Sequence, residues 1–360
     1  MDNKRIVITG VGVVAPNGIG KQAFWQALKE GKSGIKAISR FDTNQFKSKL
    51  AGEIDDFKPE EFLGEKGLRE MDRTSRLICS AAKMALTDAK FEPNADNTDK
   101  IGVCVGSTLS SLWDIAEFNR QIIQDGPLFT DVGLFPGTVI NAASSRVSIK
   151  FNIQGFNTTI SNGFTSSLDA IKYATDMIEA GRVHSVLVGA VESLSLAQFS
   201  AFYALNYIAG LKGEEVSCPF DLRRNGAILS EGAAAILIED ESFARKRKAP
   251  IFARISGQGA YFDAHRMNKY DPTATGMKQS MERALKDADV ANKSIDYISS
   301  SANSVEQHDR LETIAIKEVF EKNATKKPVS AIKSMVGETF SAGGLMQIAA
   351  SIASIEEDFI

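Results

Sequence analysis

The sequence predicts an α/β protein made of two similar halves, and three observations carry that expectation. Short β-branched runs alternate with amphipathic helical stretches along the 360 residues. No Pro/Gly/Ser-rich linker separates them, so the elements are expected to share one core. From residue 250 onward the order of strand-like run, amphipathic helix and strand starts again, as a weakly duplicated strand–helix–strand unit would.

Taken in order, residues 5–14 (RIVITGVGVV) are a β-branched run suited to a sheet covered on both faces. Gly10 and Gly12 fail the GxGxxG spacing, and the glycines read as a turn at the strand end. Pro16-Asn17-Gly18 breaks the run, and a helix follows through Phe24, Trp25 and Leu28. Residues 35–65 are polar and irregular, a surface excursion. Residues 71–91 form an amphipathic helix with apolar Leu77, Ile78, Ala81, Ala82 and Leu86. IGVCVGST (101–108) and HSVLVGAVES (184–193) read as buried strands, and NAASSRVSIKF (141–151) as a helix. After CPFDLRRNGAILSEG comes the strand AAAILIED. IFARISGQGAYF (251–262) then repeats the character of the first run, and residues 276–290 form a helix ahead of IDYISSSAN.

Bulk composition narrows the function classes. The net charge of −3 and pI near 5.8 give no reason to expect nucleic acid or an anionic membrane as partner. No apolar run is long enough to span a bilayer, and the N-terminus lacks signal-peptide flanks, so a cytoplasmic location is expected. Cys79, Cys104 and Cys218 are too few and scattered for a disulfide framework or zinc site, and read as reduced structural thiols.

The stretch 155–181, GFNTTISNGFTSSLDAIKYATDMIEAG, stands apart. It opens extended, passes a Ser161-Asn162-Gly163 turn, and continues as a helix with Leu168, Ile171, Met177 and Ile178 at near-helical spacing. Such a helix N-terminus, with unpaired N–H groups and a favourable dipole, suits a nucleophile. The residue on the turn is Phe164, which has no nucleophilic chemistry. His184, His265 and His308 lie in no metal-ligand spacing, so no metal or cofactor is expected. A Ser-His-Asp triad stays open, although no GxSxG elbow occurs. Lys333 and Glu338, in SAIKSMVGETFSAGG, read on residue type alone as an exposed ion pair. His184 reads as surface or satisfied core, and the run Arg245 to Lys248 as a solvated face.

In order along residues 4–355, RIVITGVGVVAPNG, the MDR helix, IGVCVGS, GFNTTISNGFTSS, CPFDLRRNGAILSEGAA, IDYISSSANS and SAIKSMVGETFSAGG resemble the β-ketoacyl synthases. These are thiolase-fold condensing enzymes of fatty-acid and polyketide synthesis. Pro219-Phe220-Asp221, Arg224, Gly226 and Glu231-Gly232-Ala233 carry a specific family marker. The resemblance implies two halves in a five-layered αβαβα sandwich, residues 1–250 and 251–360. It also implies a catalytic Cys, two His and a Lys. Aligned on the family motifs, Phe164 stands where the nucleophilic Cys belongs. Ser301 and Glu338 replace the two histidines, and Lys333 is kept. The family's residue at the position of His308 is a turn glycine, so His308 is not expected to stand in for the lost imidazole. Phe cannot be acylated, and an ionised Glu338 would repel an enolate rather than stabilise it.

The resemblance then implies a chain-length factor. Such a subunit lacks the nucleophile and forms a heterodimer with an active ketosynthase, whose product length it helps set. The best-known members carry Gln where this chain has Phe164. Leu134, Thr138 and Val139 fall where family dimers line the pocket beside the partner's tunnel. Acyl carrier protein is expected to be met, if at all, through that partner. Two alternatives are an acyl-binding or decarboxylating relative using Lys333 and Glu338, and a purely structural partner. The chain ends at SIEEDFI, some fifty or more residues before the usual family C-terminus with its glycine-rich loop. This predicts apolar surface and an exposed sheet edge that a partner covers, and poor behaviour of the isolated chain.

Overall fold

The computed structural model describes residues 4–266 and 269–360. Its strands are β1 (Ile6–Ala15), β2 (Gly18–Ile19), β3 (Ile35–Ala37), β4 (Leu50–Gly52), β5 (Ile101–Gly106) and β6 (Phe156–Ile160). They continue as β7 (Ser185–Glu192), β8 (Gly232–Asp240), β9 (Ala253–Ile255), β10 (Ile298–Ser299) and β11 (Val329–Ser330). The first helices are α1 (Lys21–Lys29), α2 (Glu60–Leu63), α3 (Arg73–Asp88), α4 (Leu112–Asp125), α5 (Ala142–Phe151) and α6 (Ser166–Glu179). They are followed by α7 (Leu196–Ala204), α8 (Glu241–Lys246), α9 (Thr275–Asp287), α10 (Glu306–Phe320), α11 (Lys333–Val336) and α12 (Gly343–Glu357).

Seven strands form one mixed sheet in the order β2-β1-β8-β7-β5-β6, with β9 also paired to β1. β6, β5 and β7 run parallel, whereas β8 is antiparallel to both β7 and β1. Every residue of β1, β5, β7 and β8 is buried, which explains why these strands read as continuous apolar runs rather than alternating ones. One face packs on α3 and α5 through Leu77, Ile78, Val103 and Leu187. The other packs on α6 and α12 through Ile171, Ile178, Leu345 and Ile352.

Beyond α12 lie the short parallel pair β10–β11 and then α9 and α10, whose Ile316, Val319 and Phe320 meet Leu285 and Ile298. The Gln347 amide on α12 donates to the Ser299 carbonyl at 3.3 Å, fastening the middle helix layer to β10. The succession α3/α5, sheet, α6/α12, β10–β11, α9/α10 is the five-layered thiolase-like architecture that the resemblance implies.

Three details differ from the sequence expectation. Gly10 and Gly12 lie inside β1, not at a turn: a Cβ on either would sit 2.1 or 2.0 Å from the carbonyl oxygen of Ala85 or Ala81 on α3. The glycines let helix and strand backbones approach closely. Gly257 and Gly259 repeat the device under α9, where a Cβ on Gly259 would come within 2.0 Å of the Ser280 carbonyl oxygen. Second, only Ala253–Ile255 of the 251–262 run is strand, and it joins the first sheet by pairing with β1. Third, residues 35–65 are no loose excursion. The β3–β4 hairpin delivers Phe46, Ala51, Glu53 and Ile54 to buried positions.

Candidate functional site

β6 ends at Ile160 and leads through Gly163, at φ 67°, into α6. This left-handed glycine turns the chain sharply enough to set Phe164 at the helix N-terminus. The Ser166 hydroxyl accepts the Asn162 N–H at 2.8 Å and donates to the Gly163 carbonyl at 2.6 Å. Asp169, in the first helical turn, accepts from the Thr165 hydroxyl at 2.9 Å and the Asn162 amide at 2.7 Å. The turn is thus fixed from both sides, and its carboxylate suits the positive end of the helix dipole. The N-terminus of α12 abuts it, since a Cβ on Gly344 would lie 2.6 Å from the Ser167 hydroxyl oxygen.

Phe164 projects into an aromatic cluster. Its ring stacks on Phe340 with centroids 5.3 Å apart and on Tyr207 at 6.0 Å, and Phe202 packs on Phe340 at 4.8 Å. Phe340 is fully buried and holds φ 49°, a left-handed conformation that only firm packing sustains in a non-glycine residue.

Glu338 lies directly behind this cluster. One carboxylate oxygen accepts the Phe340 N–H at 2.9 Å. The other accepts from Lys333 Nζ at 2.9 Å and the Asn303 amide at 2.6 Å. The Asn303 amide also donates to the Tyr207 hydroxyl at 2.8 Å. The Lys333–Glu338 pair is therefore buried, at 7% and 1% side-chain exposure, and not the surface pair that residue type suggested. Burial and then the Glu338 charge push the Tyr207 phenol well above its ordinary range.

Phe164, Lys333 and Glu338 are thus brought together. Ser301 is not part of that network: its N–H donates to Glu312 at 2.9 Å on α10. Asn303, two residues on, takes the inward position, a role that no spacing in the sequence announced. His308 lies in the first turn of α10, with its ring 6.2 Å from that of Tyr270. Its Nδ1 has no partner among the described residues, and burial, with the Lys333 ammonium as the second cause, holds its pKa below the usual imidazole value.

A second chain of contacts leads from Phe164 to the outer surface. The Thr108 hydroxyl donates to the Gly163 carbonyl at 2.7 Å, and the Ser110 hydroxyl to the Val139 carbonyl at 3.4 Å. Beneath this loop lies Glu192, fully buried, which accepts the Leu109 N–H at 3.2 Å and the Ser341 hydroxyl at 2.8 Å. Burial raises its pKa to about 7. Leu134, Thr138 and Val139 lie together on the segment before α5. Val132, Phe135 and Ile140 on the same segment are exposed, as is Trp113 on α4, so large apolar side chains face solvent on these two neighbouring elements.

The family-marker residues tie the two ends of the chain together. Glu231, fully buried, holds Arg40 at 2.8 Å and Arg73 at 2.6 Å. The Phe220 N–H donates to Asp309 on α10 at 2.9 Å. Burial pushes the Cys79 and Cys104 thiols up to about 12, in keeping with inert structural cysteines. His184 is exposed at one strand end, and Arg247 folds inward onto the buried Glu239 instead of lying on a solvated face. Among the described residues, no helix is long and apolar enough to cross a membrane.

A five-layered sandwich with a helix N-terminus aimed at a buried polar centre defines a condensing-enzyme scaffold. The chain matches the Beta-ketoacyl synthase N-terminal domain over residues 3–244 and the C-terminal domain over residues 252–360, and it belongs to that family. It is 36% identical to 3-oxoacyl-[acyl-carrier-protein] synthase 2 of Coxiella burnetii, over 99% of this chain and 87% of that protein. It is 33% identical to the tetracenomycin polyketide synthase ketoacyl synthase alpha subunit of Streptomyces glaucescens, over 99% of this chain and 86% of that protein. Among solved structures, the ishigamide ketosynthase/chain length factor superposes with a TM-score of 0.91 at 28% identity, covering 99% of this chain and 87% of that one. A type II polyketide synthase acyl-carrier protein in complex with its ketosynthase bound to the hexaketide gives 0.89 at 28% identity, covering 100% and 88%.

Proposed function

We propose that this chain is a cytoplasmic, non-condensing subunit that pairs with an active β-ketoacyl synthase and sets the length of its product in polyketide or fatty-acid synthesis. The observation that carries the reading is the stacked ring of Phe164 at the N-terminus of α6. On the family motifs that position belongs to the nucleophile, and here it is packed between Phe340 and Tyr207. Behind it, Glu338 is committed to Lys333, Asn303 and the Phe340 backbone, and a carboxylate that only accepts hydrogen bonds gives none to an enolate at the position of the family's second histidine. The buried pairing of Lys333 with Glu338 also weighs against an acyl-binding or decarboxylating role for these two residues.

The exposed apolar run around Leu134, Thr138 and Val139 supports association with a second chain, because such patches on soluble proteins mark interaction surfaces. Carrier protein would then deliver substrate to the active subunit. The test is co-expression with an active β-ketoacyl synthase from the same organism, with the mass of the complex and of its products measured. A stable heterodimer is expected, and Leu134→Trp or Val139→Phe should shorten the product. Absence of a complex, or condensation by this chain alone, overturns the reading. A complex whose products ignore both substitutions leaves only a structural partner.

A further inference from the structure

A cavity of about 690 Å³ opens between the N-terminus of α3, the start of α5 and the segment carrying Leu134. Its lining is two-sided. Met71, Trp113, Leu134 and Pro136 make an apolar wall. Facing it are Arg69, Arg76 and Arg146, none of which has a carboxylate within 4.0 Å among the described residues, unlike Arg40 and Arg73, which Glu231 holds. Arg146 and Arg76 each donate to a backbone carbonyl of the 68–70 turn, Glu70 at 2.7 Å and Leu68 at 2.9 Å, so both guanidinia flank one turn. The Nε of Arg76 is buried and has no hydrogen-bond partner among the described residues. A buried donor left unsatisfied is costly, and a ligand oxygen would relieve it.

The carboxylates on the lining do not answer these charges. Asp72 accepts the Ser75 N–H at 3.0 Å as the cap of α3, and Asp131 accepts the Gly133 N–H at 2.8 Å. Glu70 is exposed at the rim. Asp114, 3% exposed, lies against Gly137 across the cavity, and burial raises its carboxyl to about 6.

We propose that this cavity binds an amphipathic organic anion, a carboxylate or phosphate monoester bearing a short apolar tail. The oxygens lie on Arg69, Arg76 and Arg146, whose planar forks suit either head group. The tail lies along Trp113, Leu134 and Pro136. The volume accommodates a molecule of that size, since ligand cavities run to roughly 300–1,000 Å³. Trp113 and Leu134 also border the surface proposed above to meet the ketosynthase, but the anion-binding proposal does not rest on the chain-length reading and is tested on the isolated chain.

Trp113 lines the cavity and is 54% exposed, while Trp25, the other tryptophan, is buried at 4%, so indole fluorescence reports on the site. The isolated chain is titrated with octyl phosphate, nonanoate and octanol. One or both anions should change the Trp113 signal saturably, with octanol at least about tenfold weaker. A preference between the two anions identifies the head group. Arg69→Gln, at an exposed position, should weaken anion binding several-fold without a change in melting temperature. Arg146→Gln should weaken it further, and higher salt should weaken it in the wild type. Octanol binding as tightly as the anions, no saturable signal from any probe, or affinity untouched by Arg69→Gln overturns the proposal. A missing ketosynthase complex would leave these titrations unaffected.

Discussion

Phe164 and Glu338 can each be challenged by one substitution, and the two should fail in different ways. Phe164→Cys would place a thiol at the N-terminus of α6, where the helix dipole favours thiolate. We expect iodoacetamide to alkylate this variant, yet no condensation of malonyl and acyl carrier protein, because Ser301 and Glu338 supply no imidazole. Product formation by Phe164→Cys alone would show that the thiol was the sole deficit. Glu338→Ala leaves the Lys333 ammonium buried and unpaired, which costs about 3–5 kcal/mol. The double change Lys333→Met with Glu338→Gln removes both charges while keeping an acceptor for the Phe340 N–H and the Asn303 amide, and should come within about 1–2 kcal/mol of the parent. Urea unfolding at constant slope separates the two outcomes. This residue-scale geometry was only partly legible. The strand–turn–helix that holds Phe164 was visible, because an extended run, a Ser-Asn-Gly turn and a helical period follow one another there. Asn303 was not, since a loop amide gives no periodic signal and its partner Tyr207 lies 96 positions away.

At the scale of elements, the strands buried on both faces were the readable part. β1, β5, β7 and β8 are continuous apolar runs because no residue of theirs meets water. The 251–262 run misled for the opposite reason. Its residues are only half buried, and its glycines serve the helix above them rather than a strand ladder. That same glycine pair is the clearest trace of duplication: Gly10-Val11-Gly12 beneath α3, Gly257-Gln258-Gly259 beneath α9. If the two pairs perform one task, Gly12→Ala and Gly259→Ala should be alike. Each puts a methyl 2.0 Å from a helix carbonyl oxygen, so strand and helix must separate. Overpacking of this kind costs about 1–3 kcal/mol. Equilibrium unfolding of each variant provides the check, and a neutral Gly259→Ala would reduce the repeat to coincidence.

On the scale of the whole molecule, the aromatic cluster at Phe164 and the exposed apolar residues are joined by the loop from Thr108 to Ser110, which touches Gly163 at one end and Val139 at the other. On the proposed reading, a subunit with Phe164 in the nucleophile's place still needs its outer face, and the two regions should respond to mutation separately. Phe135 is 58% exposed and Ile140 41%, so Phe135→Asp or Ile140→Asp removes little packing from the chain itself. Surface changes of this type stay within about 0.5 kcal/mol of the parent stability. In a buried interface the same carboxylate would be stripped of water without a partner, a cost of several kcal/mol. Association with the ketosynthase should therefore weaken about 100-fold or more, since each 1.4 kcal/mol is tenfold. The melting temperature of the isolated chain should hardly move. Analytical ultracentrifugation of the pair reads the first effect and thermal unfolding the second. An unchanged dissociation constant would place the contact surface elsewhere, and a large loss of melting temperature would mean that these side chains support the fold rather than a partner.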